Sequence, residues 1–217
     1  MKALRDNGLT IVLIIATLAT LLGMVFTGQS TYNDELVGQG KVAVSLFEYL
    51  GTGHFLSALF ENWESEFLQM SAYVVLTAFL FQRGSAESKD PDQPEKDDTL
   101  PRNVDAPLPV RIGGLTKQVY SYSLGLTLFA LFVLSFIMHL RGSAAARAHE
   151  ALIHGQHVPD LFEHLGSADF WFESFQNWQS EFLSTAVIIV LSIFLRFRGS
   201  PESKRVGAPH SQTGTEG

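Results

Sequence analysis

Apolar residues in this chain are bunched into blocks. Gly8 to Phe26 carries no charge, and Tyr120 to Leu140 carries none unless His139 is protonated. Each block is long enough to cross the roughly 30 Å of a bilayer's hydrocarbon at about 1.5 Å per residue. Two shorter uncharged blocks run from Phe67 to Phe81 and from Phe182 to Leu195. A segment of helical period leads into the first of these. Phe55, Leu56, Leu59, Phe60, Trp63, Phe67 and Met70 fall on one arc, and Ser57, Glu61, Glu64 and Ser65 on the other. That pattern predicts an amphipathic helix running directly into a membrane helix. Phe170 to Phe182 has the same character, and Gly51 and Gly166 are placed to end a short turn or helix before each. An aromatic amphipathic segment of this kind suits the headgroup layer, in preference to a cap over a bundle cavity.

The blocks are one unit written twice. Shifted by 115 residues, Glu35–Lys89 lies on Glu150–Lys204 without a gap, with about 25 of 55 positions identical. Asn62-Trp63-Glu64-Ser65-Glu66-Phe67-Leu68 meets Asn177-Trp178-Gln179-Ser180-Glu181-Phe182-Leu183, and Arg83-Gly84-Ser85-Ala86-Glu87-Ser88-Lys89 meets Arg198-Gly199-Ser200-Pro201-Glu202-Ser203-Lys204. Many matches are polar, so shared apolar composition does not produce them. The expected architecture is all-α: four transmembrane helices from two tandem parallel repeats. The first repeat is 1–89, with membrane helices near 8–27 and 64–82, and the second is 113–205, with helices near 119–140 and 179–197. A Pro- and Asp-rich linker at 90–112 and a tail at 206–217 lack apolar period and read as disordered.

The doubled Asn-Trp-x-Ser-Glu-Phe-Leu and Arg-Gly-Ser-x-Glu-Ser-Lys blocks resemble a family of small bacterial membrane proteins classed as a domain of unknown function. The resemblance implies a bacterial inner-membrane protein. It implies no activity, cofactor or catalytic residue.

Charge sets the expected orientation. Twelve Lys and Arg fall at the N-terminus, in the central linker and after the last helix, against Lys41, Arg141 and Arg147 in the two other loops. The positive-inside rule then places both termini and the linker in the cytoplasm. Two crossings per copy point both copies the same way, related by an axis along the membrane normal. Met1-Lys2-Ala3-Leu4-Arg5 before an apolar run also suits a signal peptide, but the run is long and no Ala-x-Ala site follows. The formal charge of -7 disfavours nucleic acid as a partner, and the absence of cysteine excludes disulfides and thiolate metal sites. Membrane lipids, a second copy or another membrane protein are the compatible partners.

Counting about 20 residues back from Arg83 puts Trp63 at the far boundary and Glu66 about a turn inside it, with Glu181 equivalent. Asn62 and Asn177 precede these acids by four residues, on the same helix face. Gln69 extends the stripe in the first copy. An acid inside the membrane is a candidate for binding or relaying a proton or cation. The structural alternative has each Glu at headgroup level or bonded to an Asn, fixing packing. Trp63, Trp171 and Trp178 read as interfacial anchors, and Arg83 and Arg198 as helix stops reaching headgroup phosphates. Glu87-Ser88-Lys89 and its copy read as solvated polarity. His149, His154, His157 and His164 cluster near Glu150, but the spacing is one residue too long for the zinc-protease pattern. They read as surface histidines, with metal binding at His149, His154 and His157 the weaker reading, and His139 as interfacial. Ala19 and Gly23 suit close helix packing within the bundle. No phosphate loop, nucleophile elbow or dinucleotide fingerprint is present, so neither an enzyme nor a cofactor is expected. The leading expectation is a structural or accessory membrane protein. The alternative is a transporter or channel component using Glu66 and Glu181, and the least favoured reading is an envelope enzyme or metal binder built on the histidine cluster.

Overall fold

A computed structural model describes residues 2–93 and 106–214. Among the described residues it holds eight α-helices and no strand: α1 (Lys2–Gly38), α2 (Leu46–Leu50), α3 (Gly53–Phe79), α4 (Leu108–Ile112), α5 (Gly114–Ser121), α6 (Ser123–Ile153), α7 (Leu161–Leu165) and α8 (Ala168–Phe194). Positions 94–105 of the expected linker, Lys96 and Arg102 among them, lie outside the described residues.

The two long first helices overrun their apolar blocks. α1 has 37 residues with one break at Asn7 (φ -131°), and α6 has 31. Most of what was expected as loop after 27 and after 140 is therefore helix. The reason is compositional: 28–38 and 141–153 lose apolarity but contain no proline, and the second is rich in alanine. An apolar block marks where a helix can meet lipid, not where it ends.

Each amphipathic segment and the apolar block after it form one helix, as the period predicted. α3 and α8 both have 27 residues, and the bounds of α2 and α7, and of α3 and α8, coincide after a shift of 115. α1, α6 and α8 are long and apolar enough to cross a membrane. α3 is as long as α8 but more polar, with Glu61, Glu64, Glu66 and Gln69 in its first two-thirds.

The Arg-Gly pairs do not stop these helices. α3 and α8 end at Phe79 and Phe194, several residues earlier than expected. Gly84 and Gly199 instead take left-handed backbone (φ +82° and +86°) in the turns that follow. Both blocks fold by the same bonds. Ser85 Oγ accepts from Glu87 N–H (3.1 Å) and Ser200 Oγ from Glu202 N–H (3.2 Å). Ser88 Oγ accepts from Gln82 N–H (2.8 Å) and Ser203 Oγ from Phe197 N–H (2.9 Å). The repeated Arg-Gly-Ser-x-Glu-Ser-Lys string is thus a turn code, with glycine at the position a side chain would strain.

Two further segments differ from expectation. Leu108–Ile112 of the linker is helical, started by Pro107 and by Pro109 in its first turn. The tail to Gly214 is folded and Thr213 is buried.

The chain divides into two compact units, Met1–Phe60 with Met138–Gly166, and Glu61–Ile137 with Ser167–Gly217. In the first, Val25, Tyr49 and Phe55 form the buried core. Tyr49 is wedged against α1, where a Cβ on Gly28 would collide with its hydroxyl. Asn33 accepts from Val44 N–H (2.8 Å) and donates to Val44 O (3.0 Å), tying the segment after Gly40 to α1. The start of α3 packs backbone to backbone on α6. A Cβ on Gly53 would stand 2.6 Å from Gly142 O, and one on Gly142 would stand 2.8 Å from Leu56 C. A Cβ on Gly23, by contrast, would have nothing within 4 Å, so the Ala19–Gly23 pair is not where helices meet among the described residues.

α2 and α7 are opened by capping boxes. Glu48 Oε2 accepts from Ser45 N–H (2.7 Å), and Glu163 Oε2 from Asp160 N–H (3.0 Å). Their C-caps, Gly51 and Gly166, stay right-handed (φ -90° and -83°), so these ends do not depend on glycine's freedom.

In the second unit, Phe129, Phe132, Phe136, Phe170, Trp171, Phe175 and Trp178 make a continuous aromatic column on α6 and α8, centroids 5.4 to 6.2 Å apart. Trp171 and Trp178 are therefore half-buried packing residues, whereas Trp63 stays 40% exposed.

Candidate functional site

Polar side chains form a seam between α3 and α8 within the second unit. The amphipathic period brings them there. Glu61, Glu64, Ser65 and Gln69 recur at helical spacing, and the face they occupy is turned inward, with Glu64 and Ser65 fully buried. On the opposite arc Trp63 and Met70 are exposed, while Phe55 is buried and Leu56, Leu59, Phe60 and Phe67 are half-buried.

The bonds run down the helices in order. Asn177 Nδ2 donates to Glu61 Oε1 and also to Glu173 O (3.1 Å). Trp178 Nε1 donates to Glu64 Oε1 at 2.8 Å. Gln69 Nε2 donates to Thr185 Oγ1 at 2.5 Å. Past the end of α3, Ser85 Oγ meets Ser192 Oγ of the last turn of α8 at 2.9 Å, and Ala86 N–H adds a bond to Ser192 Oγ at 3.2 Å. Bonds of this kind hold apolar helices in one register.

Glu66 and Glu181 lie within Coulombic range of each other, Glu66 exposed and Glu181 half-buried. The two equivalent acids are thus brought together. Asn177, the residue four before Glu181, gives its amide to Glu61 and a backbone carbonyl.

A second equivalent pair lies beyond the helix ends. The half-buried Glu87 carboxyl is hydrogen-bonded to that of Glu202 and receives Tyr73 O–H at 2.5 Å. Burial, then the Glu202 bond, push the Glu87 carboxyl above its ordinary value, against the opposing effect of the Tyr73 donor. Two carboxyls in contact hold one proton between them more readily than both ionise. Sequence reasoning passed over this pair as solvated polarity. The signal was there: acids at identical positions of both copies, the same criterion that selected Glu66 and Glu181. For Glu64 there was no such signal, since Gln179 occupies its equivalent position.

The tail closes over the first Arg-Gly block. Lys204 is 1% exposed, and its Nζ donates to Gly84 O, Gln212 O (2.9 Å) and His210 O (3.0 Å), with Pro209 O at 3.4 Å. Burial, and then the Arg196 charge, lower the Lys204 pKa. Gly84 N–H donates to Thr213 Oγ1 (2.9 Å) and Gly214 N–H to Ser85 O (2.9 Å). Arg196 caps α8, its guanidinium donating to Ser192 O, Ile193 O and Leu195 O and to Ala208 O of the tail.

The remaining sequence candidates are dispersed. Among the described residues no three His, Asp, Glu or Cys side chains are grouped to hold a metal. His149 and His154 are exposed, and His157 Nε2 bonds Glu163 Oε2 (3.0 Å) at the α7 cap. His164 is not a surface residue: it is buried, with Nε2 2.8 Å from Ser143 Oγ, in the place that Tyr49 fills in the first copy. His139 is fully buried within the protein. Arg83 binds Asp92 by both nitrogens, at 2.5 and 3.1 Å, so its charge is met by a carboxylate of its own chain.

A family model described as Domain of unknown function (DUF6766) matches residues 1–215, and the chain belongs to that family. No curated protein and no solved structure matches it.

Proposed function

We propose that this DUF6766 member is a non-enzymatic, structural or accessory protein of the bacterial inner membrane. It crosses the bilayer four times as two parallel tandem copies, with both termini and the linker in the cytoplasm. The observation that carries the reading is the exposure of α1. Leu9, Val12, Leu13, Ile14, Ile15, Leu18 and Leu22 each expose more than half of their surface. At about 25 cal/mol per Å² of apolar area, such a helix is costly in water and at ease in hydrocarbon. The coincidence of helix bounds and of left-handed glycines at a 115-residue shift supports the tandem arrangement. α3 is the fourth crossing, with Glu61, Glu64 and Gln69 bonded to side chains of α8 and so turned from lipid.

Reporter fusions test this. A fluorescent cytoplasmic reporter after Gly217 or within 94–105, and active periplasmic phosphatase within 39–44 or 155–159, are the expected pattern. Phosphatase activity at the C-terminus would overturn it.

A second reading, proton or cation transfer along the seam, is favoured by one specific observation: Glu66–Glu181 and Glu87–Glu202 are both pairs of equivalent acids in electrostatic contact. Proton flux into proteoliposomes that is unchanged by the Glu66→Gln, Glu181→Gln double variant would remove it.

A further inference from the structure

The two Arg-Gly turns have the same backbone and different surroundings. In the first, Arg83 grips Asp92 with both guanidinium nitrogens, and the tail covers Gly84, whose Cβ would stand 2.7 Å from His210 O. In the second, nothing stands within 4 Å of a Cβ on Gly199, and the turn borders a cavity of about 500 Å³ lined by Arg198, Ser200, Ser203, Arg205 and Val206. The sequence has lost both acids at the matching positions. Asp90 becomes Arg205 and Asp92 becomes Gly207. The carboxylate that satisfies the first arginine is missing from the second copy, and another cation stands nearby. Arg198 and Arg205 are both exposed, and neither guanidinium has a hydrogen-bond or ion-pair partner among the described residues. The acid within the turn, Glu202, is engaged with Glu87. Ser200 Oγ accepts from Glu202 N–H, which leaves its hydroxyl proton to donate.

We propose that this cavity binds a phosphate group, with Arg198 and Arg205 as its cationic ligands and the Ser200 hydroxyl as a further donor. Two guanidinium groups and a hydroxyl at a left-handed glycine match a tetrahedral oxyanion. Arg83–Asp92 is the internal precedent for what an arginine in this turn takes. A phospholipid headgroup and free phosphate share this chemistry. The headgroup source rests on the membrane reading above.

The test uses the full chain in detergent and in nanodiscs. The probes are nanodiscs of phosphatidylcholine with or without phosphatidylglycerol, and inorganic phosphate added to the detergent-solubilised protein. The expected result is retention of phosphatidylglycerol that falls about tenfold or more in the Arg198→Gln, Arg205→Gln variant, the loss of at least one charge-assisted pair, and that is unchanged in Arg83→Gln. Phosphate protecting wild type but not the double variant against thermal unfolding assigns the site to the free anion. Lipid retention without that protection assigns it to the headgroup. Equal retention by the double variant, equal loss in Arg83→Gln, or no response to either probe overturns the proposal. The double variant's helical circular dichroism must match wild type, and Arg198→Lys, Arg205→Lys must recover part of the binding. The detergent measurement stands whichever way the reporters place the C-terminus, so the two readings fail separately.

Discussion

The indole N–H of Trp178 ends on the carboxylate of Glu64, 2.8 Å away, and Glu64 has no exposed surface. One copy's tryptophan therefore satisfies the other copy's acid: the tryptophan is common to both copies (Trp63 and Trp178), while the acid Glu64 is matched by Gln179. Trp178→Phe keeps an aromatic ring in the column with Phe132, Phe175 and Trp171 and removes only the donor. The expected cost is about 1–3 kcal/mol, that of weakening the satisfaction of a buried polar group. Thermal unfolding in detergent measures it, and Trp63→Phe, at a partly exposed ring, is the companion with a smaller loss.

Gly142 and Gly53 set the closest backbone approach in the first unit. Gly142→Ala places a methyl against Leu56 and Ser57 backbone atoms that no rotamer change can move. A loss of about 1–3 kcal/mol is expected, typical of overpacking. Gly23→Ala meets nothing within 4 Å and should leave the midpoint of unfolding unchanged or slightly raised. Equal effects at the two positions would show that the packing described for Gly142 is wrong.

The Glu87 carboxyl is raised from its ordinary value of 4.5, first by burial and then by Glu202. Between that ordinary value and the raised one, the folded chain keeps a proton that the unfolded chain has released. Stability contributed by this group is therefore present at low pH and lost as pH rises through the window. Glu87→Gln should flatten the decline and keep an acceptor for Tyr73. Unfolding midpoints followed from about pH 4 to about pH 8 check it. A midpoint that declines across the window by as much in the variant as in wild type would remove Glu87 as the cause.

Lys204 should resist amine-modifying reagents while the exposed Lys89, its equivalent in the first copy, reacts. A chain ended at Val206 loses the carbonyls of Pro209, His210 and Gln212 and should expose Lys204 to the reagent. Peptide mass mapping reads both sites in one sample. Full modification of Lys204 in the intact chain would show that the tail does not close over it.

Much of this architecture was legible because it depends on period and identity. The 100° spacing of Phe55, Leu59, Trp63 and Met70 predicted a helix that continues into the apolar block, and α3 is that helix. Which side of it would be buried was not legible. The period separates two arcs without saying which one packs on a neighbouring helix, and here Glu64 and Ser65 are buried while Trp63 is exposed. The equal spacing of Glu66 and Glu181 identified acids that do come within range of each other. The partner of Asn177 was not legible, because i, i+4 proximity says only that two residues share a face, not which acceptor stands across the interface. Glu61 was that acceptor. His164 and Lys204 carried no burial signal at all, since a polar residue's burial is decided by neighbours distant in sequence: Ser143 for one, the tail carbonyls for the other.

α1 runs unbroken from Gly8 to Gly38, about 46 Å of helix against roughly 30 Å of hydrocarbon. In the proposed crossing its apolar stretch fills that thickness, and the eleven residues from Gly28 onward stand beyond it as a rigid post. Tyr49, wedged on Gly28, and Val44, clamped by Asn33, are fastened to that post near its base. In a membrane, a thinner or thicker bilayer that tilts α1 must swing this fastening point with it. The helix is then a lever whose fulcrum is the headgroup layer, turning a change in lipid thickness into motion of the attached segment.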